Sequence, residues 1–578
     1  MCGIVGIVTA KEFNINTYLL QSLKRLEYRG YDSSGVATNK GICIKAIGEI
    51  SVLLNNSDKN TKSDIAIAHT RWATHGGVSE TNSHPHFNSS KTIFAVHNGI
   101  IENYLELKEE LQKHGYKFIS QTDTEIIPHF IDNEIKNGKS IIEAVKELIK
   151  KIRGTYAILI IRKDDNNIYA LKKDSPLALG ILDDGFMLAS DIYAFSDKTN
   201  KAIFFEDGDI AVIDALKYQF FNSDLKKINK KIQEFDFEEK DKTKESYKHY
   251  MIKEIKEQPL TSKRIIESLK TLQKDNLEKF SSEVKKAKKI VFLAAGSSYH
   301  ASLIGAYLLH KCGFDARTVI ASESENFLFF DSNTLVIPVS QSGETMDVVS
   351  VLKDVKKTGA KIISIVNVPY STIQRLSDFS IETLAGQEVC VAATKTFTNQ
   401  LIVLFALAKE LGYKIELDNI PSRIKKTITD NEKKIEEISS SLSLKKDIFV
   451  LGKGATYPLA REIALKLKEI DYIHAEGMMA GELKHGTIAL IEKGTPVIAL
   501  IPGNDLSMIS STKEVEARGA KTIIISNYKG DFIVPESTDA EFSIYSAIIG
   551  HLLSYYIGLK LGLPIDKPRN LAKSVTVK

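Results

Sequence analysis

The C-terminal part of the chain alternates short runs of β-branched and aliphatic residues with longer helical patterns. Gly296 follows one such run and aligns with Gly454, which follows another. The offset between this pair is 158 residues. Gly359 aligns with Gly519 at an offset of 160 residues, which is nearly the same register. Two matches in one register predict a duplicated domain. The alternation predicts doubly wound parallel sheets flanked by helices.

The first 235 residues have a different pattern. They contain two helical stretches, at 18–26 and 104–114, and several strand-like runs, at 65–68, 93–96, 156–161, 186–189 and 210–213. This composition predicts a layered α+β domain. A charged stretch at 236–250 is the predicted linker. The predicted domains are therefore 1–235, 251–430 and 431–578, the last carrying a C-terminal catalytic tail.

Composition narrows the class of protein. A net charge of +4 over 578 residues, without a basic block, argues against nucleic acid as a partner. Four scattered cysteines without a CxxC pair predict a reducing compartment. No apolar run approaches the ~20 residues that cross a bilayer, and the N-terminus carries no export pattern. We therefore expect a cytoplasmic protein with small-molecule substrates and no membrane partner.

Cys2 is the first candidate for catalysis. Removal of Met1 would place its thiol beside its own α-amine, whose pKa of about 8 suits a general base. An isolated Met-Cys is more often an ordinary frayed terminus. Residues 2–8, however, form a strand-like run, which predicts that this terminus is tied into a sheet.

Five ordered motifs extend this picture: Cys2-Gly3-Ile4-Val5-Gly6, Leu26-Glu27-Tyr28-Arg29-Gly30-Tyr31-Asp32-Ser33, His69-Thr70-Arg71-Trp72-Ala73-Thr74-His75-Gly76, His97-Asn98-Gly99 and Gln121-Thr122-Asp123-Thr124-Glu125. Through them the domain resembles the N-terminal-nucleophile glutamine amidotransferases. The resemblance implies an αββα layered fold that hydrolyses L-glutamine, with Cys2 as nucleophile. It also implies that Asn98 and the Gly99 N–H stabilise the oxyanion.

The resemblance also implies a glutamine pocket. A forked guanidinium suits the α-carboxylate of glutamine, here Arg71, and a carboxylate suits the α-ammonium, here Asp123. Thr74 and His75 complete the pocket, and Trp72 gates the passage of ammonia.

A metal site is the alternative interpretation of four histidines, His69, His75, His84 and His86, but no Cys or carboxylate partners stand at regular spacing. We therefore expect neither a metal nor another cofactor.

A hydroxyl-rich loop follows a predicted strand at 335–339. Ser340-Gln341-Ser342-Gly343-Glu344-Thr345 precedes the helical pattern 346–357, and hydroxyls at a helix N-terminus predict a phosphate site. Ordinary N-capping is the alternative, but it needs fewer hydroxyls. The second repeat has Ile501-Pro502-Gly503-Asn504 at the matching place, so one phosphate site is expected.

The repeats resemble paired sugar isomerase (SIS) domains, which bind phosphosugars. Together with the glutaminase domain, they make the chain similar to the isomerising aminotransferases that transfer glutamine nitrogen to fructose 6-phosphate. The resemblance implies that Glu469 moves a proton between C1 and C2, that Lys466 assists, and that Lys573 forms a Schiff base. It implies further that His485 opens the sugar ring from the neighbouring subunit of a homodimer.

The residues that the resemblance assigns to the sugar phosphate are Ser297, Ser298, Ser340, Gln341, Ser342, Thr345, Val391 and Ala572. Two positions depart from the family pattern: Ala295 replaces a common cysteine, and Ala393 replaces a common serine. Two alternatives stay open at this point. One is a glutamine amidotransferase for another phosphorylated acceptor, and the other is a non-catalytic phosphosugar sensor.

Overall fold

The computed structural model of the chain describes residues 2–73, 75–235 and 244–575. The chain divides into two compact units, residues 1–239 with 572–578, and residues 240–571. Most of the predicted linker, 236–243, lies outside the described residues.

The first unit combines two large sheets with short helices. Its strands are β1 (Gly3–Asn14), β2 (Ser33–Thr38), β3 (Cys43–Ile47), β4 (Lys62–Arg71), β5 (His86–Phe87), β6 (Ile93–Ile101), β7 (Gly154–Arg162), β8 (Ile168–Lys173), β9 (Ala178–Ile181), β10 (Gly185–Ala189), β11 (Lys201–Phe204), β12 (Ile210–Ile213), β13 (Tyr218–Phe221), β14 (Lys227–Ile228) and β15 (Gln233–Glu234). Its helices are α1 (Leu20–Lys24), α2 (Ile50–Asn56), α3 (Tyr104–Lys113), α4 (Ile126–Lys136) and α5 (Ile141–Lys151).

These elements form four layers. One sheet has the order β15-β11-β9-β10-β1-β4-β2-β3 and the other β14-β13-β12-β8-β7-β6-β5. Aliphatic side chains of both sheets, such as Ile67 and Leu159, share one core between them. The outer face of the second sheet packs on α3–α5, and α1 and α2 contact the first sheet. The predicted αββα arrangement is thus confirmed.

The second unit contains the repeats. Its helices are α6 (Tyr250–Lys270), α7 (Lys274–Lys286), α8 (Gly296–Lys311), α9 (Ser324–Phe327), α10 (Met346–Lys357), α11 (Thr372–Leu376), α12 (Lys395–Glu410), α13 (Ile420–Leu442), α14 (Thr456–Asp471), α15 (Leu506–Glu516) and α16 (Asp539–Lys560). Its strands are β16 (Lys289–Ala294), β17 (Ala316–Ile320), β18 (Thr334–Ser340), β19 (Lys361–Val366), β20 (Phe379–Glu382), β21 (Asp447–Gly452), β22 (His474–Met479), β23 (Pro496–Ile501), β24 (Lys521–Ser526) and β25 (Phe532–Ile533).

The two repeats have the same topology. Their parallel sheets run β17-β16-β18-β19-β20 and β22-β21-β23-β24-β25, so the first strand of each lies second from one edge. Gly296 and Gly454 both have φ of +57°, a left-handed conformation that glycine adopts without a Cβ clash. The glycines that reveal the repeat in the sequence therefore mark equivalent tight turns.

The repeats share one hydrophobic core, which explains why they form a single compact unit. This core includes Phe292 and Ile337 of the first sheet and Val450 and Ile498 of the second. Helix α13 runs through residue 430, where the sequence pattern places a domain boundary.

Helix α16 departs from the expectation about apolar segments. It is long and apolar enough to cross a membrane by length and composition, but most of it is buried inside the second unit. Serine, glycine and histidine interrupt its apolar run, so a search for uninterrupted runs misses it. Because its neighbours are other helices of the same unit, α16 is a core helix.

Candidate functional site

Cys2 immediately precedes β1, a central strand paired with β4 on one side and β10 on the other. The Gly3 N–H donates to Thr70 Oγ1 at 2.9 Å, and the Ile4 N–H donates to Ser190 Oγ at 3.1 Å. This terminus is therefore held in a sheet, as its strand-like sequence predicts.

The Cys2 thiol is half-buried beside Trp72. The Trp72 N–H donates to Cys2 Sγ at 3.3 Å. Burial raises the pKa of the Cys2 thiol, while the hydrogen bond with Trp72 and the Arg71 guanidinium act against that rise. A thiol with a raised pKa needs a nearby base to become a nucleophile, and this is the role expected for the α-amine of Cys2 after removal of Met1.

Asn98 and Gly99 lie beside Cys2. Asn98 Nδ2 donates to the Cys2 carbonyl oxygen at 2.9 Å. Gly99 has φ of +131°, and a Cβ there would collide with the Thr155 carbonyl oxygen on the paired strand. Only glycine fits this position, directly after the amide donor that contacts Cys2.

Arg71 is buried and organises the loop that follows it. Its guanidinium donates to the carbonyl oxygens of His75, Gly76 and Gly77 at 2.5, 3.1 and 3.2 Å. Thr74 lies outside the described residues. Trp72 and Arg71 thus lie near Cys2, and His75 is joined to them through Arg71.

Asp123 is buried near the end of β6. Its Oδ2 accepts the Ile101 N–H at 2.8 Å, and it lies 3.9 Å from His97 Nδ1. The Thr124 hydroxyl donates to the other carboxylate oxygen at 3.3 Å, and a buried carboxylate can pair with an ammonium group. This is the role expected for Asp123 toward glutamine.

The histidines that suggested a metal form a stacked cluster. The rings of His69 and His84 have centroids 4.1 Å apart, and those of His84 and His86 are 4.8 Å apart. Burial lowers the pKa of His69 to about 3 and holds the pKa values of His84 and His86 well below normal. Within residues 2–73, 75–235 and 244–575, no group of three or more His, Cys, Asp or Glu could hold a metal ion.

The neutral histidine cluster makes the first unit sensitive to acid. The lowered pKa values of His69, His84 and His86 mean that the unfolded chain binds more protons than the folded chain below pH 6.5. The free energy of unfolding should therefore fall with pH from 6.5 to 5, by up to about 1.4 kcal/mol per pH unit for each histidine. Urea denaturation followed by the fluorescence of Trp72, the sole tryptophan, measures this unit. A free energy of unfolding that stays constant between pH 6.5 and pH 5 would contradict the lowered pKa values of these three histidines.

The hydroxyl-rich loop joins β18 to α10. Ser340 Oγ accepts the Gly343 N–H at 3.0 Å, and Ser342 Oγ accepts the Glu344 N–H at 3.1 Å. Gly343 has φ of +64°, and a Cβ there would collide with the Ser371 side chain. The loop is thus preformed at the N-terminus of a twelve-residue helix, where backbone N–H groups and the helix dipole attract an anion.

The second repeat has no such loop. Asp505 caps α15, and its carboxylate accepts the N–H groups of Ser507 and Met508 at 2.9 and 3.2 Å. A carboxylate at this helix N-terminus occupies the donors that a phosphate would use and repels it. One phosphate site, in the first repeat, remains the prediction.

A buried charged network lies on α14. Lys466 is fully buried, and its Nζ lies 2.6 Å from Glu469 Oε2 and 3.3 Å from Glu462 Oε1. Burial alone would lower the pKa of Lys466, but the two carboxylates outweigh it and raise that pKa. Burial would raise the pKa of Glu462, but Lys466 and His300 hold it at about 2.

This network reaches the first repeat. Ser297 Oγ donates to Glu462 Oε1 at 2.8 Å, and His300 Nδ1 lies 2.7 Å from Glu462 Oε2. Ser297 follows β16, and the hydroxyl loop follows the adjacent β18, so both lie at the C-terminal edge of one sheet. The structure therefore brings the predicted proton-transfer pair and the predicted sugar loop to the same region.

The sequence patterns missed four residues of this region: Glu462, His300, Gln400 and His551. Gln400 Nε2 donates to Ser298 Oγ at 3.0 Å, and His551 is fully buried with its pKa lowered by burial to about 4. Glu462 and Lys466 are four residues apart on α14, so their side chains share one face of the helix. This spacing could have identified Glu462 from the sequence. His300, Gln400 and His551 carry no local signal.

Other predicted residues lie on other segments of the chain. Val391 is buried and donates its N–H to the Asp566 carbonyl oxygen at 3.1 Å. His485 is exposed, on a short 3₁₀ turn after β22. Ala572 and Lys573 belong to the first compact unit.

Comparison with known proteins supports both parts of this description. The SIS domain family matches residues 283–410 and 441–555, and the glutamine amidotransferase domain family matches residues 69–197. The boundary expected at 430 falls between the two SIS matches.

Full-length relatives extend the match to Cys2. The chain is 40% identical over 614 aligned residues to glutamine–fructose-6-phosphate aminotransferase [isomerizing] of Clostridium tetani, covering 100% of both chains. It is 41% identical over 593 residues to the protein of the same name from Sulfurisphaera tokodaii, again covering 100% of both. The solved C-terminal domain of glucosamine-fructose-6-phosphate aminotransferase from Francisella tularensis matches 56% of this chain and 100% of that chain, with a TM-score of 0.50 and 33% identity.

Proposed function

Because the chain belongs to the family of isomerising glutamine–fructose-6-phosphate aminotransferases, we propose that it converts L-glutamine and fructose 6-phosphate into glutamate and glucosamine 6-phosphate. The observation that carries this proposal is the presence of two candidate centres, one around Cys2 and one around Lys466. Cys2 lies beside Asn98 in one unit, and Lys466 lies between two carboxylates in the other. An amidotransferase for another acceptor, or a sensor without catalysis, is not favoured by the full-length relatives.

At the first centre, Cys2 attacks the side-chain amide carbon of glutamine. The α-amine of the mature terminus takes the thiol proton and passes it to the leaving ammonia. Asn98 Nδ2 and the Gly99 N–H stabilise the negative oxygen of the tetrahedral intermediate. Arg71 and Asp123 hold the α-carboxylate and α-ammonium of glutamine, and water then releases glutamate from the thioester.

At the second centre, Ser340, Gln341, Ser342 and Thr345 hold the phosphate at the N-terminus of α10. The Lys573 amine attacks the C2 carbonyl of the open-chain sugar and releases water, and ammonia then displaces the lysine. Glu469 removes a proton from C1 and returns it to C2, while Lys466 stabilises charge at the C1 hydroxyl. Glu462 keeps Lys466 charged, because it supplies a second buried carboxylate.

We infer that this centre needs a second copy of the chain. His485 is exposed on its turn, and two neighbouring apolar side chains, Met479 and Leu490, are 47% and 63% exposed. Exposed apolar residues beside a residue needed for ring opening are consistent with a homodimer interface.

A location in the reducing cytoplasm fits four cysteines that form no disulfide.

Mixing two inactive variants tests the shared site. His485→Ala and Glu469→Gln should each be inactive in synthesis, because each lacks one residue of the site. If His485 acts in the partner's site, a mixed dimer contains one site with both residues intact. After subunit exchange of equal amounts, synthesis should recover to roughly a quarter of the wild-type rate. No recovery in a mixture shown to contain mixed dimers would place His485 in its own subunit's site or outside catalysis.

Labelled glutamine tests the overall reaction. Glutamine carrying ¹⁵N in its amide should yield ¹⁵N-glucosamine 6-phosphate from fructose 6-phosphate, which mass spectrometry detects. Adding unlabelled ammonium at the same concentration checks whether the nitrogen passes internally. Glutamate release without any aminated sugar would favour another acceptor.

A further inference from the structure

His69 is a buried group of the glutaminase centre to which the mechanism above gives no task. It lies on β4, in the eight-stranded sheet, whereas Asn98 lies on β6, in the facing sheet. His69 Nε2 lies 3.1 Å from Asn98 Oδ1 and 3.1 Å from the His97 carbonyl oxygen. Its side chain therefore bridges the two sheets at the oxyanion donor.

The hydrogen atoms in this contact can be assigned from the partners. The Cys2 carbonyl oxygen can only accept, so the Asn98 atom 2.9 Å from it must be the amide nitrogen. Asn98 Oδ1 then faces His69, and it too can only accept. The His97 carbonyl oxygen, the second neighbour of Nε2, also only accepts. His69 must therefore carry its proton on Nε2.

The surroundings keep His69 in this state. Burial lowers its pKa to about 3, so the ring stays neutral at ordinary pH and does not acquire a second proton. The His84 ring packs against it at an interplanar angle of 33°, and His84 Nδ1 accepts the His97 N–H at 3.4 Å. The ring is thus fixed in position as well as in protonation.

We infer that His69 is a positioning residue for glutamine hydrolysis: its Nε2–H holds Asn98 Oδ1 so that the Asn98 NH₂ faces the nucleophile. An amide side chain has two orientations of similar shape, and only one presents a donor to the oxyanion. Without the His69 donor, only the hydrogen bond from Asn98 Nδ2 to the Cys2 carbonyl oxygen still orients the amide, and a rotated amide would place its oxygen toward a developing negative charge. This inference rests on the proposed function, since it assigns a partner to the oxyanion donor.

Three variants test the inference. His69→Leu should lower kcat for glutamine hydrolysis about 10²-fold, the usual effect of losing one oxyanion donor. The KM for glutamine should stay within about twofold, because the donor acts in the transition state. His69→Gln should recover most of kcat, since its amide nitrogen can take the place of Nε2–H. His129→Leu is the matched control, a buried histidine on α4 in the same unit, and should keep the wild-type kcat.

A double-mutant cycle separates positioning from general damage. In an Asn98→Ala background, His69→Leu should cause no further loss of kcat, because its target is already absent. The inference would be overturned if the kcat loss of the double variant equals the product of the two single losses. It would also be overturned if His69→Leu raises KM alone, or if His69→Gln is as inactive as His69→Leu. If His69→Leu does not fold, His69→Phe keeps a ring without the donor and serves in the same cycle. A wild-type protein that hydrolyses no glutamine would instead refute the proposed function.

Discussion

Replacing Cys2 with alanine is expected to abolish glutamine-dependent synthesis while leaving ammonia-dependent synthesis intact. The proposed thioester with glutamine forms on the Cys2 thiol, so its loss should lower glutamine hydrolysis by about 10⁴-fold or more. The Asn98 hydrogen bond goes to the Cys2 backbone carbonyl, which alanine retains. The pocket should therefore keep its shape. Glutamate release and glucosamine 6-phosphate formation are measured separately, with either glutamine or ammonium as nitrogen source.

Cys43→Ala is the matched control for this experiment. Cys43 is also a half-buried cysteine of the first unit, and burial raises its pKa as it does that of Cys2. It lies on β3, at the edge of the sheet, and should be dispensable. Glutamine-dependent synthesis that survives Cys2→Ala would remove Cys2 as the nucleophile. Loss of synthesis with ammonium as well would mean that the two centres are not separable.

The glutaminase centre could be predicted from sequence because its residues come in contiguous motifs. Arg71 and Trp72 are neighbours in the chain, and so are Asn98 and Gly99. The antiparallel pairing of β1 with β4 then brings the Cys2 end to the Arg71 end. The hydroxyl loop is equally local, since one strand end and one helix start contain it. Short-range patterns of this kind survive in a single sequence.

The network around Lys466 is different, since it depends on distant parts of the chain. Ser297 and His300 meet Glu462 across more than 160 residues, and neither has a pattern that predicts this contact. In sequence, Lys466 and Glu469 look like a solvated ion pair on a helix surface. Lys466 is fully buried, and Glu469 is half-buried, because the two repeats pack around one core that includes α8, α14 and α16. These contacts therefore depend on tertiary packing and cannot be predicted from short sequence patterns.

Glu469→Gln is expected to stop formation of glucosamine 6-phosphate while leaving glutamine hydrolysis at the wild-type rate. The amide has the same size as the carboxylate but cannot accept the C1 proton, so synthesis should fall by about 10²- to 10⁴-fold. Lys466 keeps Glu462 at 3.3 Å, and the buried lysine is therefore not left without a counter-charge. The steps before proton transfer should persist. Borohydride should still trap fructose 6-phosphate on the protein, whereas Lys573→Ala should prevent trapping.

Glu516→Gln is the control that distinguishes this assignment from an ordinary ion pair. Lys513 and Glu516 form a pair of the same i, i+3 spacing on α15, at 2.5 Å, but Lys513 is 71% exposed in its side chain. An exposed pair of this kind contributes less than about 1 kcal/mol to stability and nothing to proton transfer. Glu516→Gln should therefore leave both activities unchanged. If Glu469→Gln behaves in the same way, burial of Lys466 between two carboxylates serves folding alone, and the base must be sought on another element of the sugar site.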